Sequence, residues 1–433
     1  MSRRLNVLIV AHELSPYQGS ECAEGWNLVT RLAKYHDITV LYASKSQYGN
    51  NNYEEAINTY FSKEAPISGL TLIPVGRPSL TRFIASLNSV FEKLGPIGLP
   101  LLYFLGYNIW QKAAYRLGRK LNRQTPFDVI HQLTQISFRE PGYLWKTGIP
   151  FVWGPTGGTA SLPGSYFRMV STQFKFLEII RSVSNYIQFN FVRRVVRANK
   201  KAALIYTFSP EDQEIFSKRA GGKVKLLLDA GTYSTRTKTI TDKNPNEKLK
   251  GIWCGQLTER KAPVILLEAL SLDPGICDKI DFKIIGSGPL RMSLMKKANE
   301  LKLKNIEWIE RVSHEEIFEL MGKADLFVHT SLREATSNVI PEALSMGLPV
   351  ICHDANGMSI AVNEECGIKI PLKSPENSIK GFYEAITRLI SDRSLLNKLK
   401  QGTSKRSVEI SWDVMAESIA KDYLDVVSEK TIQ

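Results

Sequence analysis

Cysteine is scarce in this chain, and metal-binding patterns are missing. The 433 residues include five cysteines that are far apart and form no Cys-x-x-Cys pair, which argues against a disulfide framework and a structural zinc site. No Asp-x-Asp sequence occurs, and the six histidines show no metal-ligand spacing. We therefore expect a reduced protein that uses no metal ion and no other cofactor.

Two common nucleotide-binding loops are also absent. No Gly-x-Gly-x-x-Gly opens a helix after the first predicted strand, and there is no Walker lysine loop, which argues against a nicotinamide enzyme and a phosphate-loop ATPase. Long apolar runs are missing as well. The stretch Leu94–Gln111 is uncharged but contains two prolines, and Leu5–Ala11 is too short for a signal peptide. We expect a cytoplasmic protein, at most peripheral on the inner face of the cytoplasmic membrane.

Acidic residues are few in the first half of the chain. Residues 1–250 carry 33 basic and 17 acidic side chains, whereas residues 251–433 carry 23 and 26. The imbalance is greatest in residues 101–200, which have 14 basic and 3 acidic side chains. This segregation predicts an anionic partner for the first half. Phosphate, nucleic acid and a lipid surface are all compatible with the composition.

The order of apolar segments predicts an α/β fold. Short apolar runs typical of buried parallel strands, such as Asn6–Ala11, alternate with amphipathic segments such as Glu21–Lys34. This alternation stops at a polar, lysine-rich segment and then restarts. We predict two doubly wound, Rossmann-like domains with ligand bound in the cleft between them. Their predicted bounds are residues 1–235 and 251–410, with a linker at 236–250.

Two glutamates eight positions apart form the strongest chemical motif. Glu334 lies in a loop of small and polar residues after a predicted strand, and Glu342 lies one turn into the next helix. The loop between them would direct backbone amides and a positive helix end at one point, which suits a diphosphate. The loop residues are Ala335, Thr336, Ser337, Asn338 and Val339. The two carboxylates can then accept hydrogen bonds from sugar hydroxyls.

With its flanking strand and helix, this motif resembles the E-x7-E signature of the family 4 retaining glycosyltransferases, which have the GT-B fold of two Rossmann-like domains. The resemblance extends over nearly the whole chain. It implies metal-independent transfer of a sugar from a nucleotide-sugar donor, bound mainly to the second domain. Glu342 would bind the donor ribose and Glu334 the sugar. The C-terminal helix, residues 411–433, would cross back and complete the first domain.

The same resemblance implies further donor-binding residues. The segment that starts at Gly251 is similar to the family segment in which an arginine and a lysine neutralise the donor diphosphate. Lys261 fits the lysine position, but Gln256 stands where the family usually has arginine. Either Arg260 substitutes, or catalysis depends on Lys261 and backbone amides. The remaining candidates are Gly286, in a Gly-x-Gly-Pro turn, and Arg311, in the stretch that meets the nucleobase in relatives.

Two places in the first domain also resemble the family. Gly19 lies in the loop after the first strand, whose amides approach the donor phosphate and the acceptor in relatives, and Ser20 takes the place of a second glycine. His131 lies near the end of a later strand, and Leu133 stands where many relatives have a second histidine that meets the sugar at its reacting end. His131 either takes that catalytic role or is a hydrogen-bonded strand-end histidine.

A basic segment with many aromatic residues, 165–201, lies in the half that binds the acceptor in relatives. Glu178 is its only acidic residue. Such a segment is typical of membrane-surface binding, with a solvated outer face of a core helix as the alternative. We expect contact with an anionic membrane surface and a glycan or lipid-linked acceptor. No nucleic-acid-binding module is recognisable, so nucleic acid is not expected as a partner.

These features predict a glycosyltransferase of cell-surface polysaccharide or glycolipid synthesis. Two other functions on the same fold stay open. One is a nucleotide-sugar epimerase, which would convert the donor without an acceptor. The other is a catalytically silent scaffold, which the departures at Gln256 and Leu133 make conceivable. A basic nucleic-acid-binding protein is the third alternative.

Overall fold

The computed structural model describes residues 3–47, 51–91, 99–233 and 247–432, and these residues form two parallel β-sheets. The strands of the first sheet are β1 (Asn6–Ala11), β2 (Asp37–Ala43), β3 (Leu70–Val75), β4 (Val129–Thr134), β5 (Phe151–Thr156), β6 (Leu204–Thr207) and β7 (Lys223–Leu226). The strands of the second sheet are β8 (Leu249–Cys254), β9 (Ile280–Ile285), β10 (Ile306–Ile309), β11 (Leu326–His329), β12 (Val350–His353) and β13 (Gly367–Ile370).

Helices connect these strands, which confirms the predicted α/β fold with two doubly wound sheets. In the first half they are α1 (Glu21–Leu32), α2 (Tyr53–Phe61), α3 (Ser79–Ser89), α4 (Pro100–Gln124), α5 (Thr172–Phe191), α6 (Arg193–Lys201) and α7 (Pro210–Ser217). In the second half they are α8 (Val264–Leu270), α9 (Arg291–Glu300), α10 (His314–Gly322), α11 (Val339–Ser345), α12 (Asn356–Ala361), α13 (Pro375–Ser391), α14 (Arg393–Glu409) and α15 (Trp412–Ile432).

Both sheets reverse their strand order beside their first strand. The first sheet has the order β3-β2-β1-β4-β5-β6-β7, and the second has β10-β9-β8-β11-β12-β13. Ligands of such sheets bind in the crevice outside the carboxyl ends of the strands at the reversal. The loops that follow β1, β8 and β11 are therefore the places to look for a site.

The two halves of the chain are interlocked. Leu162 and Tyr166 fall within the segment predicted as the first domain, but they pack into the core of the second sheet. The hydroxyl of Tyr166 lies 2.6 Å from Ser378 Oγ on α13. In the other direction, α15 returns to the first sheet, where the side chain of Asp413 binds Arg31 at 3.1 Å. The core of the second sheet therefore includes residues that precede residue 235.

Helix α5 contacts both halves. Near its first residue, the amide of Ser171 donates to Glu259 Oε1 at 2.7 Å, and farther along, Glu178 forms an ion pair with Arg333. Near its end, the ring of Phe189 packs on that of Phe138, with centroids 5.8 Å apart. This helix therefore connects the second sheet to the first.

Some predicted segments fall partly outside the described residues. These are 236–246 of the predicted linker, which is followed by β8 from Leu249, and 94–98 of the uncharged stretch. Among the helices that the structure describes, none has an apolar run long enough to cross a bilayer.

Candidate functional site

A cavity of about 500 Å³, here called the interdomain cavity, lies between the loop after β1 and the helices α10 and α11. Gly19 lines it from the first sheet, and Asn338 and Glu342 line it from the second. The structure thus brings three of the predicted donor-binding residues to one space, from opposite halves of the chain. Tyr233, Trp412 and the α10 residues His314 and Phe318 also contribute to its walls.

A compact ionic cluster lies in the loops of the second sheet. One carboxylate oxygen of Glu334 lies 2.6 Å from Arg260 Nη1, and the same oxygen pairs with the ammonium group of Lys261. Burial favours a higher pKa for Glu334, but the charges of Lys261 and Arg260 outweigh it and lower the pKa to about 2. Glu334 is therefore ionised and fixed between two cations.

Lys261 connects this cluster to the loop before α11. Its ammonium group donates to Ser337 Oγ at 3.2 Å. Ser337 has a φ of 70°, a left-handed conformation that is costly for a residue with a side chain and is concentrated at functional sites. Because Asn338 next to it lines the interdomain cavity, the cluster and the cavity are neighbouring parts of one site.

Gln256 stands where the family usually has arginine, and the structure shows whether Arg260 is placed to substitute for it. Gln256 is exposed, whereas Arg260 binds both Glu334 and the backbone oxygen of Arg333, the latter at 2.8 Å. This geometry favours Arg260 as the second cation beside Lys261. The sequence could not decide this, because the direction of the Arg260 side chain depends on the 3-10 helix Glu259–Lys261 that contains it.

The other two candidates in the second domain lie away from the interdomain cavity. A Cβ on Gly286 would lie 1.9 Å from the backbone oxygen of Gly255, so glycine is required here by the close approach of two strand-end loops. Arg311 is exposed in the loop between β10 and α10. Gly286 thus has a structural role in this arrangement, and Arg311 is not among the residues that line the cavity.

The loop before α11 differs in part from its prediction. The amide of Thr336 donates to Asp229 Oδ1 at 2.8 Å, and the backbone oxygen of Ala335 accepts from the amide of Gly357 at 3.0 Å. The amide of Thr336 is therefore already bonded to a residue of the first half, in contrast to the expectation that all amides from Ala335 to Val339 point to a ligand. Burial raises the pKa of Asp229, and its hydrogen bonds with Thr336 oppose this.

His131 lies in the interior of the first domain. Its ring nitrogens are 2.5 Å from the hydroxyl of Tyr423 on α15 and 2.6 Å from the backbone oxygen of Gly154. The side chain is fully buried, and burial lowers its pKa to about 4, although the bond with Gly154 opposes this. These contacts favour the second of its two predicted roles, a hydrogen-bonded strand histidine, and do not support a catalytic one.

Two site residues were missed by the sequence analysis. His314 Nε2 lies 2.8 Å from Glu342 Oε1, and the ring of Phe318 packs on His314 with centroids 4.9 Å apart. The capping box of Ser313 and Glu316 marks the start of α10. The contact of His314 with Glu342, 28 positions later, depends on the packing of α10 beside α11, which no local sequence pattern marks.

Ser20 provides a test of backbone strain in the loop after β1. It has φ 57° and ψ −137°, a region that favours glycine, and its side chain makes no capping hydrogen bond. We expect Ser20→Gly to stabilise the protein by about 1 kcal/mol, measured by urea unfolding. Ser428→Gly, at an exposed position in α15, is the control and should destabilise by about 1 kcal/mol. A loss of stability in Ser20→Gly would contradict the claim that the backbone at Ser20 is strained.

The two facing Rossmann-like sheets and the crevice between them define the class of protein: the chain has the GT-B fold. Among solved structures, a sucrose-phosphate synthase from Thermosynechococcus elongatus has a TM-score of 0.62 and 15% identity, covering 98% of this chain and 100% of that one. HepE of Anabaena, in complex with UDP and glucose, has a TM-score of 0.55 and 16% identity over 98% of this chain and 100% of its own.

The model of the family "Glycosyl transferases group 1" matches residues 236–406 of this chain, which is less than half of its length. A D-inositol 3-phosphate glycosyltransferase of Streptomyces bingchenggensis is 27% identical over 42% of this chain and 42% of its own length. A lipopolysaccharide core biosynthesis glycosyltransferase of Rhizobium meliloti is 26% identical over 41% of this chain and 48% of its own. The chain thus matches less than half the length of these two relatives.

Proposed function

We propose that this protein is a retaining, metal-independent glycosyltransferase. It transfers a sugar from a nucleotide-sugar donor to a glycan or lipid-linked acceptor in cell-surface polysaccharide or glycolipid synthesis. The observation that carries the proposal is the interdomain cavity, where Gly19 faces Glu342, together with the adjoining cluster of Glu334, Lys261 and Arg260. The group 1 family match and the names of the relatives support it.

In this proposal the donor lies across the cavity with its diphosphate near the ionic cluster. Glu342, whose Oε1 lies 2.8 Å from His314 Nε2, accepts hydrogen bonds from the ribose hydroxyls. Glu334 accepts hydrogen bonds from the sugar. Uridine diphosphate is the first nucleotide to test, because the similar HepE structure contains UDP.

Lys261 and Arg260 act on the leaving group. As the bond between the anomeric carbon and the diphosphate oxygen breaks, negative charge grows on the diphosphate, and two fixed cations stabilise it without reorganisation. These side chains would supply the charge that a divalent cation supplies in other transferases. Retention of the anomeric configuration is inferred from the resemblance to family 4, in which the leaving phosphate helps to deprotonate the acceptor on the same face.

The outer face of α5 is proposed as the membrane-contact surface. Its exposed side chains are predominantly apolar, namely Phe176, Leu177, Ile179, Ile180, Val183, Tyr186, Ile187 and Phe191. The one acid of the helix, Glu178, is buried on the inner side, while Arg193 and Arg197 are exposed just beyond its end. An apolar face bordered by cations is complementary to an anionic bilayer, where each basic residue near the surface contributes about 1 kcal/mol.

A transfer assay tests the proposed function. The protein is incubated with radiolabelled UDP-, GDP- and ADP-sugars and a lipid extract, and label in the organic phase and in polymer is counted. Incorporation from one donor, accompanied by release of its nucleoside diphosphate, is the expected result. An isomerised donor without any incorporation would instead identify an epimerase. Absence of any donor turnover would contradict both the glycosyltransferase and the epimerase function.

Substitutions that introduce negative charge on the outer face of α5 should weaken membrane binding. We expect the double variant Ile180→Glu, Ile187→Glu to bind vesicles with anionic lipid at least about tenfold more weakly, since each exposed apolar side chain contributes about 1.5–3 kcal/mol when buried. Cosedimentation with vesicles measures this. Met292→Glu, at a more exposed apolar position on α9, is the control. Unchanged cosedimentation of the double variant would exclude α5 as the contact surface.

A further inference from the structure

Three arginines from separate parts of the chain meet at the inner side of α5. Arg139 follows β4, Arg181 lies on α5, and Arg333 follows β11 and directly precedes Glu334. Arg181 and Arg333 both bind the carboxylate of Glu178, at 2.7 Å and 2.6 Å. The three residues are here called the arginine cluster.

Arg139 is connected to Arg181 by a chain of hydrogen bonds through Asn185 and Gly158. Its guanidinium donates to Asn185 Oδ1, and the amide group of Asn185 donates to the backbone oxygen of Gly158 at 2.9 Å. Arg181 Nη1 lies 3.4 Å from that same oxygen. Asn185 and the backbone oxygen of Gly158 therefore connect Arg139 to Arg181, and Glu178 links Arg181 to Arg333.

The cluster has more positive charge than its acidic neighbours neutralise. Glu178 is shared by two arginines, and nearby Glu140 is bound by Arg194 through both of its oxygens at 2.7 Å. Arg139 forms no ion pair with any carboxylate of the described residues. Burial and the charges of Arg181 and Arg333 lower the pKa of Arg139 to about 10, although the negative charge of nearby Glu140 opposes this. A partly buried cation with like charges beside it is costly unless a further anion binds there.

We propose that the arginine cluster binds a phosphate group carried by the acceptor. Guanidinium groups bind phosphate through paired hydrogen bonds, and three of them from three segments suit a dianion. The side chains of Arg181 and Arg333 are each 23% exposed, so the cluster is open to solvent. Because Arg333 directly precedes Glu334, the cluster adjoins the residue that is proposed to bind the donor sugar. The assignment of this phosphate to an acceptor therefore rests on the proposed function. Both a lipid phosphate and a soluble phosphorylated sugar carry this group.

Direct binding measurements separate this site from the donor site. Calorimetry with inorganic phosphate and with glycerol 3-phosphate is carried out on the wild type, Arg139→Gln, Arg139→Lys and Lys261→Gln. We expect Arg139→Gln to raise the dissociation constant of glycerol 3-phosphate about tenfold or more, Arg139→Lys to raise it less, and Lys261→Gln to raise it clearly less than Arg139→Gln does. Arg193→Gln, an exposed position, is the control for non-specific loss of charge.

The opposite pattern overturns the inference. If phosphate binding is lost in Lys261→Gln but kept in Arg139→Gln, the phosphate occupies the donor site. If the wild type does not bind phosphate, or if Arg139→Gln and Arg193→Gln weaken it equally, there is no such site. None of these outcomes depends on sugar transfer, so they are distinct from a failure of the proposed function.

Vesicles distinguish the two sources of the phosphate. Vesicles with phosphatidic acid present a phosphate monoester, and vesicles with phosphatidylserine of equal charge do not. A loss of affinity for phosphatidic acid alone in Arg139→Gln identifies a lipid phosphate. A loss of glycerol 3-phosphate binding without any preference between vesicles identifies a soluble acceptor. An Arg139→Gln protein with wild-type affinity for all these probes contradicts the proposal.

Discussion

Replacement of Lys261 by alanine is expected to lower kcat for sugar transfer by about 10²–10³-fold. Lys261 is the buried cation that pairs with Glu334 and reaches Ser337 before α11, so its charge is fixed where the leaving diphosphate would gain charge. Because that charge grows in the transition state, the effect should fall mainly on kcat and less on the donor KM. Release of the nucleoside diphosphate provides the measurement.

The Lys261 variant needs a control for structural damage. Removal of the lysine leaves Glu334 with Arg260, so a partner for the buried carboxylate remains. Lys296→Ala, at an exposed position on α9, should keep wild-type kcat. If Lys261→Ala keeps a kcat within about threefold of the wild type while remaining folded, the electrostatic role of this lysine is wrong.

Replacement of Glu342 by alanine is expected to raise the dissociation constant of the nucleoside diphosphate by about tenfold to a hundredfold. Each hydrogen bond to a charged group contributes about 1.5–3 kcal/mol, and a factor of ten corresponds to 1.4 kcal/mol. Calorimetry measures this without any acceptor. Glu342→Gln keeps one acceptor oxygen without the charge and should have an intermediate effect.

The contact between Glu342 and His314 provides a comparison variant for this experiment. His314→Ala removes the imidazole that contacts Glu342 but leaves the carboxylate in place. It should therefore change affinity much less than Glu342→Ala, and Glu319→Ala, at an exposed position on α10, should not change it. Equal affinity in the wild type and Glu342→Ala would show that the donor lies elsewhere.

The elements near the site were predictable where short-range patterns determine them. The apolar run Asn6–Ala11 forms β1 as predicted, because a strand covered on both faces requires continuous apolar residues. The family resemblance assigned Lys261 to the diphosphate and Glu334 to the sugar of one donor, and the structure brings the two side chains into contact. In both cases the signal lies within one strand or one recognisable motif.

Contacts between distant segments were not predictable. The position of Asp229 at the amide of Thr336 joins residues 107 positions apart, and no local pattern marks it. His131 and Tyr423 are separated by 292 positions, so the partner that occupies one ring nitrogen of the histidine could not be read from the strand. Tyr166 packs in the second core because the segment before α5 crosses over, which no composition boundary signals.

The scarcity of acidic residues in the first half has a local counterpart in the structure. Part of the excess of basic side chains lies in the arginine cluster. There Arg139 forms no ion pair with a carboxylate of the described residues, and Arg181 shares Glu178 with Arg333. Another part borders the apolar face of α5, at Arg193 and Arg197. Neither group lines the interdomain cavity. These basic residues of the first half are therefore not placed to bind a donor diphosphate in the interdomain cavity.

Nucleotide binding to the intact protein tests the central proposal most directly. Unfolding is followed with UDP, GDP and ADP, each raised to saturation, for the wild type and Glu342→Ala. A nucleotide that occupies the interdomain cavity should stabilise the wild type by about 2.7 kcal/mol at 100 times its dissociation constant. The same concentration should stabilise Glu342→Ala clearly less. Absence of stabilisation by all three nucleotides, or equal stabilisation of both proteins, would contradict a donor site at Glu342.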